Sequence, residues 1–286
     1  MARAIPEVKR YLQERELEYE IRCTEHAGHA PRLARAALDE GIRFLVAAGG
    51  DGTIHEVVNA MIEDDRAVAP DAVLGVIAAG TRSDFVKTFG IPAMAGHAVA
   101  HLDGPESFTI DIGKVTFTKD DHEVVRYFSN IAEVGLGAEV VARVARLPRW
   151  LGPTTYSVAL WLALLRHKQT NVSVDLVDRI YEGPMNNLVV ANGQFFGGGM
   201  KIAPKAAPTD GVLDIQIDRV RKREAIALLP KLFKGEHVPH HDIKEAKRVT
   251  VSITSQRRLL IEADGEILGH TPAIFGVLPD ALSLKV

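Results

Sequence analysis

The chain has 286 residues, of which 47% are hydrophobic and 25% charged, and its formal net charge is −3. This is the composition of a globular protein long enough for two cores, and the slightly acidic balance argues against nucleic acid as a partner. The only cysteine, Cys23, excludes an internal disulfide and a zinc site built from several thiolates. The N-terminal residues lack the apolar core of a secretory signal, and the longest apolar run, Val158–Leu165, is too short to span a bilayer. We therefore expect a cytoplasmic protein.

The first 41 residues predict two helices separated by a short strand. Residues 4–15 place Ala4, Val8 and Leu12 on one helical face, and a strand is expected near Tyr19 to Cys23. A second helix is expected at about 31–40, and Gly41 ends it as a C-cap.

The next stretch, Arg43 to Ile62, predicts a strand, a glycine turn and a helix. Phe44 to Ala48 form a short apolar run, and Gly49-Gly50-Asp51-Gly52 interrupts it. Apolar residues then follow at helical spacing: Ile54, Val57, Val58, Met61 and Ile62. Glycines leave space for a ligand and the helix directs free N–H groups at the turn, which suits a phosphate. Asp51 is then explained by a Mg²⁺ ion between carboxylate and phosphate. The alternative is a tight connection, with Thr53 only capping the helix.

A second unit of the same kind follows. Val73 to Ala78 predict a strand, residues 79–84 form a turn with the sequence AGTRSD, and a short helix ends at Gly90 and Pro92. Another helix is expected near 93–102. Alternating strands and helices predict a parallel sheet with helices on both faces, and ligands bind such sheets at the carboxyl ends of the strands, where both turns lie.

After about residue 106 the pattern changes to antiparallel strands. Phe108–Phe117 and Val124–Ile131 flank a polar turn, as in a hairpin. Further strands are expected at 171–177, 187–192, 212–218, 248–254, 258–263 and 273–277. We therefore place a domain boundary near 105–110 and predict that the second domain is mainly an antiparallel sandwich.

Three stretches of this second part contain clustered cations or histidines. The helical segment 138–168 combines Trp150 and Trp161 with several cations, which favours a membrane interface, although an ordinary helix pair on the sandwich is the simpler alternative. The basic stretch 219–223 fits the solvated start of a helix. Three histidines and an aspartate, His237, His240, His241 and Asp242, could suggest a metal, but Pro239 lies among them and a polar surface loop explains them better.

Five strings in this order resemble the bacterial diacylglycerol kinase catalytic-domain family, relatives of sphingosine and ceramide kinases. They are GGDGTIHEVVNAM at 49–61, AAGTRSDFVKTFGIP at 78–92, NGQFFGGGMKIAP at 192–204, DGVLDI at 210–215 and EADGEILGHTPA at 262–273. The resemblance implies an NAD-kinase-like α/β nucleotide-binding domain (1–106 plus about 278–286) and a larger antiparallel β-sandwich (107–277). It also implies that the last strand, Leu282 to Val286, returns to the first domain.

The resemblance also implies roles for single residues. ATP phosphates and nucleotide would contact two loops and a preceding threonine, namely Thr24, Gly49, Gly50, Asp51, Gly52, Thr53, Glu56, Gly80 and Thr81. The general base would be Asp264 or Glu266, in a turn whose Asp-Gly could equally be an ordinary hairpin. A structural Mg²⁺ would be held by the Asp210 side chain and the carbonyl oxygens of Ala207 and Val212.

The chain departs from the family pattern in three places. It begins in a helix that similar proteins precede with a strand and an Asn-Pro-x-(Ser or Ala)-Gly loop over the phosphates. Ser83 and His55 stand where asparagine is usual. These departures would weaken the order of the phosphate loops more than the fold.

The sequence therefore predicts an ATP- and Mg²⁺-dependent lipid kinase that converts diacylglycerol to phosphatidic acid while transiently at the inner face of the membrane. A homodimer is compatible with this interpretation. Two alternatives stay open: a kinase for another alcohol, and a weakly active or inactive homologue that binds nucleotide or lipid.

Overall fold

A computed structural model describes residues 5–78, 83–92 and 99–286. The helices within these ranges are α1 (Ile5–Glu14), α2 (Ala30–Asp39), α3 (Asp51–Met61), α4 (Asp84–Phe89), α5 (Leu136–Val144), α6 (Thr155–Arg166) and α7 (Lys222–Leu232). Short 3-10 helices lie at His101–Asp103 and Arg149–Thr154. None of the helices in the described part of the chain has both the length and the apolar character needed to cross a membrane.

The strands follow the same order along the chain. They are β1 (Phe44–Gly49), β2 (Ile62–Glu63), β3 (Arg66–Ala67), β4 (Val73–Ala78), β5 (Ser107–Lys119), β6 (His122–Phe128), β7 (Ile131–Gly135), β8 (Thr170–Asp175), β9 (Ile180–Met185), β10 (Asn187–Ala191), β11 (Leu213–Asp218), β12 (Ile243–Arg248), β13 (Thr250–Ser255), β14 (Leu260–Ala263), β15 (Glu266–His270) and β16 (Ala273–Lys285).

The N-terminal region is an α/β unit with helices on both faces of its parallel strands. β1 and β4 run parallel, from Phe44 opposite Val73 to Gly49 opposite Ala78. The buried side chains of α1 pack with Ile77 on one face, whereas those of α2 and α3 pack on the other face against alternate residues such as Leu74. Because β4 is buried on both faces, its sequence is continuously apolar and does not alternate between apolar and polar residues.

One long strand, β16, carries this sheet into the antiparallel region. Its first half pairs antiparallel with β13, and nearly its whole length pairs antiparallel with β5. Near its end it lies parallel to β4, with Ser283 opposite Val73. The resulting eight-stranded sheet has the order β1-β4-β16-β13-β8-β9, with β5 on β16 and β6 on β5. A division at residues 106 and 278 stays a prediction, because one continuous sheet runs through both regions.

A second, six-stranded antiparallel sheet has the order β12-β11-β10-β7-β14-β15. Its inner face, with Leu188, Val190 and Ile261, shares a buried core with Val174 and Phe275 of the first sheet. The expected fold class, an α/β region joined to an antiparallel two-sheet region, is therefore confirmed.

Several predicted strands differ from the structure. The stretch Tyr19 to Cys23 is not a strand, because Arg22 bonds Glu20 and Glu40 and keeps the stretch beside the end of α2 instead of in the sheet. Ile131 begins a new strand and does not end the hairpin. Five further strands of the described residues were not predicted: β2, β3, β9, β12 and β15. The helix expected near 93–102 falls mostly outside the described residues.

Candidate active site

The glycine turn after β1 leads directly into α3. Gly50 has an extended backbone and precedes the first helical residue, and its carbonyl accepts hydrogen bonds from Thr53 N (3.0 Å) and Ile54 N (3.2 Å). A side chain at Gly49 is excluded, because its Cβ would lie 2.7 Å from Thr53 Cβ. The N–H groups of Asp51 and Gly52, at the first two positions of α3, have no helical carbonyl to bond, as an anion site requires.

Asp51 joins the two predicted phosphate loops. Its Oδ1 accepts hydrogen bonds from Ser83 Oγ (2.7 Å) and Phe85 N (3.2 Å), and its Oδ2 accepts one from Asp84 N (3.0 Å). Burial raises the pKa of the Asp51 carboxyl, although these three hydrogen bonds oppose the shift. Asp51 therefore caps α4 and fixes the second loop against the first. Gly80 and Thr81 of that loop lie outside the described residues.

Two other predicted nucleotide contacts are Glu56, within α3, and Thr24, in the stretch that precedes α2. The Glu56 carboxylate accepts hydrogen bonds from Gly28 N (2.7 Å) and Ala30 N (3.1 Å), so it supports the start of α2. Thr24 is exposed in the irregular stretch before α2. Their predicted contact with nucleotide stays a prediction, while the structure assigns Glu56 a role in positioning α2.

The acidic turn at 264–266 connects β14 to β15, a strand that the sequence did not predict. Asp264 and Gly265 both have positive φ, +49° and +88°, as a tight two-residue hairpin requires. The buried Asp264 carboxylate accepts hydrogen bonds from Ser129 N (2.9 Å), Asn130 N (3.0 Å) and Ile131 N (3.1 Å). With so many donors around it, Asp264 anchors the start of β7.

Glu266, in contrast, is exposed and faces the glycine turn. Its Oε1 lies 3.5 Å from the position that a Cβ on Gly52 would occupy. The acidic turn of the second sheet is therefore next to the N-terminus of α3. The sequence left Asp264 and Glu266 as equal candidates, and the geometry distinguishes them: one carboxylate is enclosed by donors and the other is accessible beside the predicted phosphate loop.

Polar side chains of α3 contact both the acidic turn and β6. His55 Nδ1 lies 3.2 Å from Asp264 Oδ2. Asn59 Nδ2 donates to the carbonyl oxygen of Tyr127 (2.8 Å), and Asn59 Oδ1 accepts from Tyr127 N (3.0 Å), which fixes α3 on β6. His55 was expected only as a departure from the family pattern, and the structure shows that it contacts the acidic turn.

The 192–204 string lies against α4. Gly198 N donates to Asp84 Oδ2 (2.7 Å), and Asp84 Oδ1 accepts from Lys87 Nζ (2.8 Å). Gln194 N donates to Thr88 Oγ1 (3.0 Å). Asp84 therefore ties the second loop to the antiparallel region. Sequence reasoning did not select Asp84 or the 192–199 loop as site residues, although both lie in strings that carried the resemblance.

Two buried glutamates lie behind the acidic turn and were not predicted from the sequence. Glu133 of β7 and Glu262 of β14 are opposite each other in the sheet and almost fully buried. Glu262 Oε2 accepts a hydrogen bond from Gly265 N (2.9 Å), and Glu133 Oε1 accepts one from Asn187 Nδ2 (2.6 Å). Burial raises the pKa of Glu133 to about 7 and that of Glu262 well above its ordinary value. Glu262 therefore braces the acidic turn through its hydrogen bond from Gly265 N.

The residues at the predicted structural metal site do not fit a resident Mg²⁺. Lys247 Nζ lies 2.7 Å from Asp210 Oδ2 and 3.3 Å from Asp214 Oδ2, so an ammonium group already neutralises these carboxylates. The carbonyl oxygen of Ala207 accepts Thr209 N (2.7 Å), and Val212 N donates to Asp210 Oδ1 (3.2 Å). A lysine in contact with the carboxylate is incompatible with a divalent cation in the same place.

Comparison with known proteins covers both parts of the chain. Residues 1–115 match the diacylglycerol kinase catalytic domain, and residues 130–286 match the YegS C-terminal NAD kinase beta sandwich-like domain. A diacylglycerol kinase of Staphylococcus carnosus is 28% identical over 275 residues, which are 96% of this chain and 86% of that protein. A "Probable lipid kinase YegS-like" of Pseudomonas syringae pv. tomato is 30% identical over 274 residues, 94% of this chain and 84% of its own.

A solved structure shows the same fold. The crystal structure of a diacylglycerol kinase from Bacillus anthracis str. Sterne superposes with a TM-score of 0.66 at 19% identity, covering 92% of this chain and 82% of that chain. The matches to both domains, in the same order as the two structural regions, extend over most of the sequence. The chain therefore belongs to the lipid kinase family that joins a diacylglycerol kinase catalytic domain to a YegS-type C-terminal domain.

Proposed function

We propose that this protein transfers the γ-phosphoryl group of ATP to the hydroxyl of diacylglycerol, forming phosphatidic acid and ADP. The observation that carries the proposal is the position of Glu266. Its accessible carboxylate lies beside Gly52, at the N-terminus of α3, where the glycine turn is suited to phosphate. The γ-phosphate of ATP and the hydroxyl of diacylglycerol would then meet between the α/β region and the antiparallel region.

The proposed reaction is an in-line displacement at the γ-phosphorus. The lipid oxygen forms a bond to phosphorus while the bond to the bridging β-phosphate oxygen breaks, and Glu266 accepts the hydroxyl proton. Glycines 49, 50 and 52 and the first N–H groups of α3 would bind the polyphosphate, together with Thr53 and the described end of the second loop at Ser83. Mg²⁺ arrives with ATP as part of the substrate and neutralises its charge.

Two acidic residues support this arrangement without touching the reacting atoms. Since three hydrogen bonds already occupy the Asp51 carboxylate, we assign it the placement of the second loop rather than direct metal coordination. Asp264 positions Glu266 by anchoring the turn to Ser129 and the following residues. Both are therefore positioning residues.

The replacement Glu266→Gln tests the proposal. In mixed micelles of diacylglycerol, transfer of labelled phosphate from ATP should fall by at least ~100-fold, because a general base is lost while size and fold are kept. Glu182→Gln, an exposed glutamate on the edge strand β9, makes the same charge change and should keep full activity. Equal rates for Glu266→Gln and wild type would remove Glu266 from the base role.

The acceptor and the nucleotide need separate measurements. Offering extracted membrane lipids beside soluble alcohols identifies the acceptor, and we expect label only in the lipid fraction. Thermal unfolding with and without Mg²⁺ and millimolar ATP measures nucleotide binding directly, because a ligand of the native state raises the unfolding temperature. An unchanged unfolding temperature would favour a homologue that no longer binds ATP.

A further inference from the structure

The helical segment between β7 and β8 leaves large apolar side chains exposed to solvent. Trp150, in the 3-10 helix, is 82% exposed, and Leu165 and Trp161 of α6 are 71% and 41% exposed. Trp161 and Leu165 are four residues apart, so they lie on the same face of α6. The opposite face of α6, with Ala159 and Ala163, packs against α5. The exposed face is therefore not needed for the core of this helix pair.

A second exposed helix lies beside the first. α7 has no buried residue, and Ile226 within it and Phe233 at its end are 45% and 55% exposed. Lys222 Nζ donates to the carbonyl oxygen of Leu165 (3.1 Å), which places the start of α7 at the end of α6. The exposed apolar side chains of α6 and α7 therefore lie on two helices that meet at Leu165 and Lys222.

Between Val140 and the start of β8 the charged side chains are all cationic, whereas α7 carries the exposed Glu224 beside Lys222 and Arg223. From Val140 to Thr170 the sequence has five arginines or lysines and no aspartate or glutamate, although the whole chain carries a net charge of −3. The exposed cations of these two segments are Arg146, Arg166, Lys168, Lys222 and Arg223. Tryptophan rings among cations suit the headgroup level of a bilayer, where the rings insert and the cations meet anionic lipid.

This area is connected to the candidate active site through the start of α6. The Tyr156 ring packs edge-on against Phe196, with 6.2 Å between centroids, and a side chain at Gly197 would collide with Tyr156. The next residue, Gly198, donates to Asp84 of the second phosphate loop (2.7 Å). The start of α6 is therefore linked through residues 196–198 to the second predicted phosphate loop.

We propose that Trp150, Trp161, Leu165 and the surrounding cations form a docking surface for an anionic lipid bilayer. We call it the docking surface. The inference rests on the proposed lipid acceptor and adds how the enzyme reaches it. The rings would lie at the headgroup level, and the cations would hold the enzyme on the membrane while diacylglycerol enters.

Vesicle flotation tests the docking surface without any turnover. Wild type should float with vesicles containing phosphatidylglycerol, and much less with phosphatidylcholine alone or at high salt. The double variant W150S/W161S should lose about tenfold or more of its vesicle affinity. V177S/I180S removes side chains that are 71% and 62% exposed near the far end of β8, and it should bind as wild type. Thermal unfolding checks that both variants are folded.

Activity on two substrates separates this proposal from the proposed function. W150S/W161S should lose activity on diacylglycerol in anionic vesicles but keep it on a short-chain, dispersed diacylglycerol. Unchanged flotation of a folded W150S/W161S would overturn the docking surface and leave the kinase reaction untouched. Concentration-dependent dimerisation that W150S/W161S abolishes, with vesicle binding unchanged, would assign this face to a second copy of the chain and also overturn it.

Discussion

His55 Nδ1 lies 3.2 Å from Asp264 Oδ2, and both side chains are buried although 209 positions separate them in the sequence. This contact joins the helix that follows the glycine turn to the hairpin that carries Glu266. Because Asp264 also accepts from Ser129, Asn130 and Ile131, the same carboxylate fixes three segments at once. The distance between the predicted phosphate loop and the proposed base therefore depends on the buried Asp264.

Asp264→Asn should mainly lower the free energy of unfolding, whereas Glu266→Gln should mainly lower the rate of phosphoryl transfer. The amide of asparagine replaces one acceptor oxygen by a donor that faces backbone N–H groups, which should cost about 2–4 kcal/mol of unfolding free energy. Glu266 is exposed, so its replacement should change stability by less than about 0.5 kcal/mol. Urea unfolding of both variants measures this. Equal stability of Asp264→Asn and wild type would contradict the anchoring role.

Gly49→Ala should destabilise the protein, whereas Gly50→Ala should not. A Cβ on Gly49 would lie 2.7 Å from Thr53 Cβ, but a Cβ on Gly50 would meet nothing within 4 Å. Such a collision costs about 1–3 kcal/mol. Gly50 has φ −97°, which alanine accepts without strain. Unfolding free energies of the two variants provide the comparison, and a similar loss in both would show that the turn rather than the side-chain collision is responsible.

The buried Glu133 should make stability fall as pH rises toward neutrality. Burial raises its pKa from 4.5 to about 7 in the folded state, so the folded protein retains a proton that the unfolded chain releases. The stabilisation is complete below about pH 4.5 and is lost as pH rises through about 7, a change of about 3 kcal/mol at most. Glu133→Gln should flatten this slope, measured as unfolding free energy from pH 5 to 8.

Two comparisons make that pH measurement specific. Asp218, whose pKa burial raises to about 6, contributes a slope of the same sign and should remain in Glu133→Gln. The exposed Glu182→Gln should leave the whole profile unchanged. Parallel profiles for Glu133→Gln and wild type would show that Glu133 is not protonated in the folded protein.

Removing divalent cations should leave the unfolding temperature of the nucleotide-free protein unchanged, because Lys247 neutralises Asp210 and Asp214. Lys247→Met should lower the free energy of unfolding by about 1 kcal/mol, a small value because the lysine is partly exposed. Added Mg²⁺ should restore part of this lost free energy. Lys205→Met removes a neighbouring, more exposed ion pair with Glu245 and serves as the control. Destabilisation of the wild type by a chelator would contradict this assignment.

The local units of the site could be predicted from the sequence because they depend on near neighbours. The strand, glycine turn and helix from Phe44 to Met61 follow from apolar periodicity, and the two candidate acids lie in one short string. Which of Asp264 and Glu266 is accessible could not be predicted. That choice depends on residues 129–131, about 130 positions earlier in the chain, which supply the N–H groups that enclose Asp264.

Other features escaped prediction for related reasons. Glu133 is a single carboxylate in an otherwise apolar run, and only the pairing of β7 with β14 brings Glu262 opposite to it. Lys247 lies 37 positions after Asp210, on a strand that the charged sequence of 243–248 concealed. The stretch Tyr19 to Cys23 alternates like a strand, but ion pairing of Arg22 with Glu20 and Glu40 decides its position.

The continuous strand β16 limits how the enzyme can move. It pairs with β13 and β5 before residue 279 and with β4 and β5 after residue 281, and its register on β5 shifts between Leu278 and Leu282. A rotation of the α/β unit against the antiparallel region would therefore have to bend β16 at residues 279–281, because elsewhere it would break a hydrogen-bonded ladder.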